Sequence, residues 1–182
     1  MRTKSKALLV GSLVLVLLVV GAAFAYPAIA YTPSSGEQIK GFQLTLRGFA
    51  VPMGEENATK APLLATMRLE IVKAFHNKTH GNLTIIRGVV VRIVEGNALY
   101  NDSKAFRIVH GFGVVARTDN GTYIALKGIA FNGRGYVLFK LRGKVLGIGQ
   151  GAAIVGFRGI AITEGGAKYG LGLKGYAVPI RG

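Results

Sequence analysis

After a polar joint at residues 31–38 (YTPSSGEQ), no stretch of the chain keeps a 3.6-residue apolar period. The recurring period is two. Over 136–147, Val137, Phe139, Leu141, Gly143 and Val145 fall on one side, and Lys140, Arg142 and Lys144 on the other. That alternation belongs to a strand with one buried face. Runs of β-branched and aromatic residues between Gly, Asn and Asp clusters predict eight strands. They lie at about 40–51, 63–75, 83–94, 104–117, 122–131, 136–147, 152–163 and 168–178. The last four connections, TDNG, NGRG, GIGQG and TEGGA, are short enough for hairpins. Their Asn-Gly and Gly-Gly steps supply the positive φ that such turns need.

A basic residue followed by glycine recurs in the middle of these strands. Lys127-Gly128, Arg142-Gly143, Arg158-Gly159 and Lys174-Gly175 are spaced by 15 or 16 residues. Their context repeats too: Leu-Lys-Gly-Ile-Ala at 126–130, Phe-Arg-Gly-Ile-Ala at 157–161, Leu-Lys-Gly-Tyr-Ala at 173–177 and Leu-Arg-Gly-Phe-Ala at 46–50. If each hairpin is symmetric about its turn, Lys127, Arg142, Arg158 and Lys174 stand directly opposite one another on one face. On the other face, Phe157 then lies between Gly143 and Gly175, Gly159 between Leu141 and Leu173, and Gly128 opposite Leu141. Bulky neighbours covering strand glycines is a known device for coiling a sheet.

The expected fold is therefore all-β: an eight-stranded antiparallel up-and-down meander closed into a small barrel. Gly-Phe-Ala-Val-Pro at 48–52 and Gly-Tyr-Ala-Val-Pro at 175–179 are the strands that would pair to close it. The alternative is an open twisted sheet whose prolines blunt its edges.

The first 30 residues read differently. Arg2, Lys4 and Lys6 precede an apolar run at 7–25, and Ala23-Phe24-Ala25 offers a cleavage site. Cut, the segment is a signal peptide; retained, it is just long enough for a membrane anchor. Either way residues 31–182 are expected outside the membrane, with 31–39 as linker and 40–182 as the β domain. Five of the seven asparagines open an N-x-[ST] sequon: Asn57, Asn77, Asn82, Asn101 and Asn120. Chance gives fewer than about one in a chain so poor in Ser and Thr, so an exported glycoprotein is expected.

The formal charge is +15, and from Gly121 onward nine bases meet one acid, Glu164. Lys127, Lys140, Arg142, Lys144, Arg158 and Lys174 are the candidate polyanion-binding residues. Their partner would be an acidic glycan, anionic lipid headgroups or an acidic envelope protein. Export argues against nucleic acid, and no nucleic-acid motif accompanies the charge. Ile154, Ile160 and Ile162 share that face, which suits a covered surface and allows pairing of subunits. A transmembrane barrel with the bases in its lumen conflicts with so narrow an interior.

Catalytic signals are weak. The chain has no cysteine, His76 and His80 fall in an expected loop, and no pair of carboxylates or nucleophile elbow stands out. Neither a cofactor nor a metal site is expected. Two roles remain open: an envelope protein presenting a basic face, or a small secreted hydrolase or ligand-carrying barrel.

Overall fold

A computed structural model describes residues 38–80, 83–149 and 151–182. The expected N-terminal signal or anchor and the sequon at Asn82 fall outside the described residues. Eight strands follow one another: β1 (Ile39–Pro52), β2 (Ala61–His80), β3 (Leu83–Tyr100), β4 (Lys104–Thr118), β5 (Gly121–Phe131), β6 (Tyr136–Gly149), β7 (Ala152–Thr163) and β8 (Lys168–Arg181). Each pairs antiparallel with the next, and β8 pairs back onto β1 to close the barrel. Closure uses the two similar strand ends, with Gly48 opposite Leu173 and Leu46 opposite Gly175. An open sheet is excluded, and Pro52 and Pro179 both lie in paired strands.

Two strands run longer than their local sequence predicts. β2 continues through His76–Asn77–Lys78–Thr79–His80, because these polar residues pair with the β-rich start of β3: Lys78 faces Ile85 and Thr79 faces Thr84. β3 continues through Gly96–Tyr100, where Met67 and Leu63 of β2 hold the far side. Partner strands override weak local propensity here. The β3–β4 connection shrinks to a tight turn at Asn101 and Asp102, both left-handed with φ 51° and 52°. Two consecutive positive-φ residues are the signature of a type I′ hairpin, and Asn and Asp tolerate it.

Side chains alternate across the wall. Leu44, Leu46, Met67, Leu69, Val91 and Val155 point inward and are essentially buried, while Arg47, Lys140, Arg142, Arg158 and Lys174 point outward and are exposed. Burying the apolar side of every strand stabilises the closed form by about 25 cal/mol per Å² removed from water. The basic residues are thus outside and the interior is apolar, the reverse of a barrel with a charged lumen.

The register departs from hairpin symmetry by two residues at two seams. Arg142 does face Arg158, as the symmetric turn implies. Across β7–β8, however, Arg158 faces Gly172 and Lys174 faces Gly156. Across β5–β6, Lys127 faces Lys140, and Arg142 faces Ala125. A shift of two keeps every side chain on its face, and the stagger is what a closed barrel of tilted strands requires.

The glycine packing follows suit. A Cβ on Gly143 would lie 2.6 Å from Phe157, and one on Gly128 2.7 Å from Phe139 rather than meeting Leu141. Gly159 makes room for Leu141 but faces Leu171, not Leu173. Gly175 faces Val155 and accommodates the backbone carbonyl of Thr45 from β1, not Phe157. On the outer face Phe49 covers Gly172 in the same way. Aromatic cover of strand glycines therefore recurs on both faces.

One seam has a four-residue gap in its ladder. β3–β4 pairing stops after Arg92↔Phe112 and resumes at Asn97↔Arg107. Gly96 and Gly111 flank the interruption, and a Cβ on either would collide with Ile108 or Ile93 respectively. Those two isoleucines, 8% and 6% exposed, close the gap from inside.

Candidate functional site

Two places on the barrel have the makings of a site: the outer wall from β5 round to β1, and the interior at one end.

On the outer wall three like-charged pairs stand directly opposite each other: Lys127 and Lys140 across β5–β6, Arg142 and Arg158 across β6–β7, and Arg47 and Lys174 across β8–β1. Direct cross-strand neighbours have Cβ atoms about 5 Å apart, and like charges at that distance oppose folding. Arg158 and Lys174 are diagonal neighbours, at about 7–8 Å. Lys140 and Arg142 are two apart on the same face of β6. The six form one continuous stripe across five consecutive strands. Lys144, exposed and two residues beyond Arg142, broadens it. Arg47 belongs to the stripe although its position looks isolated in sequence; the signal was its membership of the repeated Leu-Arg-Gly-Phe-Ala phrase.

The opposite wall is mixed: Arg87 faces Arg117 across β3–β4, but opposite charges pair across β2–β3. There Arg68 faces Glu95, and Glu70 faces Arg92 across β2–β3, with a salt bridge between Arg92 and Glu70. Among the described residues no carboxylate faces any member of the stripe. One member has a local partner of another kind: the Lys127 ammonium sits 4.4 Å from the centre of the Phe112 ring. That cation–π contact gives Lys127 a packing role beside any binding role. Ile160 lies among the bases and is 36% exposed, while Leu138 and Tyr176 on the same face are about half exposed.

The described sequons lie towards the two ends of the barrel. Asn57 lies in the β1–β2 connection and Asn101 in the β3–β4 turn, at one end of the barrel; both are exposed. Asn120 lies exposed in the β4–β5 turn, at the other end, towards which Asn77 also lies near the end of β2.

The interior differs along its length. Near the starts of β1, β3, β5 and β7 it is filled by large side chains such as Leu44, Leu69, Val91, Val155 and Phe157. Towards the other end, five inward positions on five different strands are alanine: Ala50, Ala65, Ala98, Ala130 and Ala161. The small side chains leave a cup of about 550 Å³, open at that end and walled further by Phe106, Phe139 and Leu171. Its volume lies within the range of small-molecule sites.

The rim of the cup is polar. Tyr100 and Tyr169 meet edge to face, ring centres 6.0 Å apart. Burial, then proximity to Tyr169 and Glu55, raises the Tyr100 phenol above its ordinary pKa. Lys104 and Arg134 bring two positive charges to the rim. Glu164 is a carboxylate that lines it, and this group accepts the backbone N–H of Tyr136 at 3.3 Å. Asn132 accepts the N–H groups of Arg134 and Gly135 at 3.0 Å each, fixing the turn that presents Arg134.

The cup is the feature that reading single strands misses. Three of its alanines, Ala50, Ala130 and Ala161, close the repeated basic-Gly-aromatic/aliphatic-Ala phrase on odd-numbered strands, which run towards the open end. In β8, running the other way, Ala177 of the same phrase is buried in the filled half. Strand direction decides which alanines line a cavity.

The histidines do not converge. His76 and His110 are exposed on different strands, and four residues along a strand separate positions 76 and 80 by about 13 Å. Among the described residues no group of three His, Asp or Glu could hold a metal ion. No protein-family model matches the chain. Nor does any curated protein match it in sequence.

Proposed function

We propose that this chain is an exported protein of the cell envelope whose basic wall binds a flexible, linear polyanion of the acidic-glycan class. The observation that carries the proposal is the set of three opposed like-charged pairs, aligned in one stripe without a facing carboxylate. Cross-strand positions are where opposite charges stabilise a sheet, as they do on the β2–β3 wall. Like pairs at three seams are a standing cost that a polyanion offsets.

Geometry favours a chain over a plane. The stripe spans β5, β6, β7, β8 and β1, five of the eight strands, which is more than half of the circumference. A flat bilayer is tangent to a cylinder and meets only a few strands at once. A flexible chain of closely spaced anions can follow the curve. Export rests on the apolar leader and the sequons, whose described members lie towards the ends of the barrel and leave its girdle clear.

The test uses linear polyphosphates of graded length and vesicles rich in anionic lipid. Affinity for polyphosphate is expected to rise with length until the chain covers the stripe, with a steep dependence on salt. Replacing Arg142, Arg158 and Lys174 together with glutamine is expected to abolish that dependence and retention on envelope preparations. Equal binding of single phosphates and long chains, or unchanged retention, would reduce the stripe to a solvated face.

A second reading, a ligand-carrying barrel, is favoured by the open apolar cup. The cup supports a carrier better than a hydrolase, because its lining has one carboxylate, Glu164, already engaged by backbone, and no histidine.

A further inference from the structure

From the cup and its rim we infer that the barrel binds a single-chain amphiphile with an acidic headgroup, tail inward and head at Lys104 and Arg134. The inference rests on the ligand-carrying reading and adds the class of ligand and its orientation.

Size sets the tail. At about 30 Å³ for a water-sized group, a 550 Å³ cup holds roughly eighteen such groups, enough for one aliphatic chain of middle length. A two-chain lipid does not fit. The lining sets the polarity: alanine, leucine, phenylalanine, methionine and isoleucine side chains surround the deep part, where a polar ligand would lose its hydrogen bonds to water without replacement. Depth is limited by Phe139 and Leu141, both nearly buried in the core, so the chain enters from the open end and stops at mid-barrel.

The rim sets the head. Two of its charged groups are bases, Lys104 and Arg134, and the carboxylate of Glu164 is held against the Tyr136 backbone. A headgroup arriving there meets two exposed cations and the phenols of Tyr100 and Tyr169, all of which can donate hydrogen bonds. A carboxylate or phosphate accepts them; a quaternary ammonium cannot, and both bases repel it against the attraction of Glu164 and of Glu55 near Tyr100. Both bases are exposed, so selectivity is expected to be moderate and sensitive to salt.

The experiment displaces a fluorescent apolar probe, anilinonaphthalene sulfonate, from the whole exported domain with dodecanoate, dodecanol and dodecyltrimethylammonium, all below their aggregation limits. Dodecanoate is expected to bind about fivefold more tightly than dodecanol, the scale of one exposed charge contact, and the ammonium most weakly. Combining Lys104→Gln with Arg134→Gln is expected to bring dodecanoate level with dodecanol while leaving dodecanol unchanged. Ala161→Phe, or Ala50→Leu should the first unfold, fills the cup and is expected to abolish displacement by all three. Equal affinity of acid and alcohol for the unaltered protein overturns the headgroup assignment alone. Failure of every amphiphile to displace the probe, or displacement that survives in a folded cup-filling variant, overturns the cup as the site.

Discussion

Arg142 and Arg158 face each other directly across the β6–β7 seam, both exposed and with no carboxylate opposite. Their mutual repulsion is a structural cost that the sequence could have avoided with one acidic residue. Arg158→Glu is therefore expected to stabilise the isolated protein. The gain should be up to about 1 kcal/mol at low salt, or about 2–4 °C in melting temperature for a domain of this size. High ionic strength should erase it. The same variant should bind polyphosphate more weakly. Thermal unfolding at two salt concentrations, set beside polyphosphate binding, checks both halves; a loss of stability at low salt would show that the pair is not strained.

The glycine of each doublet tests the packing independently of charge. A methyl group on Gly143 meets the carbonyl oxygen of Gly156 and the ring of Phe157, and one on Gly175 meets the carbonyl of Thr45. Backbone cannot yield as a flexible side chain can. Gly143→Ala and Gly175→Ala are expected to destabilise by about 1–3 kcal/mol. Gly149→Ala, where an added Cβ has nothing within 4 Å, is expected to stay within about 0.5 kcal/mol of the parent. Denaturant midpoints for the three variants decide it. Similar values at all three would make the glycines a matter of propensity rather than fit.

Tyr100 makes the rim sensitive to alkali. Its pKa is raised in the folded protein, first by burial and then by Tyr169 and Glu55. The folded state thus holds the phenolic proton more tightly than the unfolded chain. That contribution is fully present below the unfolded value, near 10.0, and is lost as pH rises through the higher folded one. Tyr100→Phe is expected to flatten part of the stability loss in this alkaline window and to leave the pH dependence below it unaltered. Stability curves against pH, with ultraviolet titration of the phenolate, provide the measurement; an unchanged alkaline slope would contradict it.

How far the chain is legible without coordinates depends on the kind of information. Alternation in 136–147 and the repeated phrase around Arg142, Arg158 and Lys174 identify strands, face and sheet, because period two depends only on local geometry. Direct pairing partners are less legible. Hairpin symmetry places Lys174 opposite Arg158, yet tilt in a closed barrel slides the pair by two residues. The cup is hidden for a related reason: Ala130 and Ala177 end the same phrase, and only the opposite directions of β5 and β8 put one in the cavity and the other in the core. The polar neighbours of His76 predict a loop, while its strand comes from pairing with Arg87 in β3.

The interrupted β3–β4 seam yields a prediction about motion. Residues 93–96 and 108–111 lie between ladder pairs Arg92↔Phe112 and Asn97↔Arg107. Val94 and Val109, within the gap, are 44% and 49% exposed although large and apolar. Ile93 and Ile108 pack against Gly111 and Gly96 across the gap. Backbone groups that lack ladder partners and adjoin exposed side chains open at low free energy. Amide hydrogens of these two segments that point into the seam are expected to exchange faster than those of Val91 and Val115, in the continuous part of the same strands. Adding bulk by Gly111→Ala should push Ile93 aside and accelerate exchange along the whole gap. Exchange measured residue by residue by NMR distinguishes the outcomes: uniform protection along β3 and β4 would mean that the ladder is continuous in solution, and that the two isoleucines fill the interior without bridging a break.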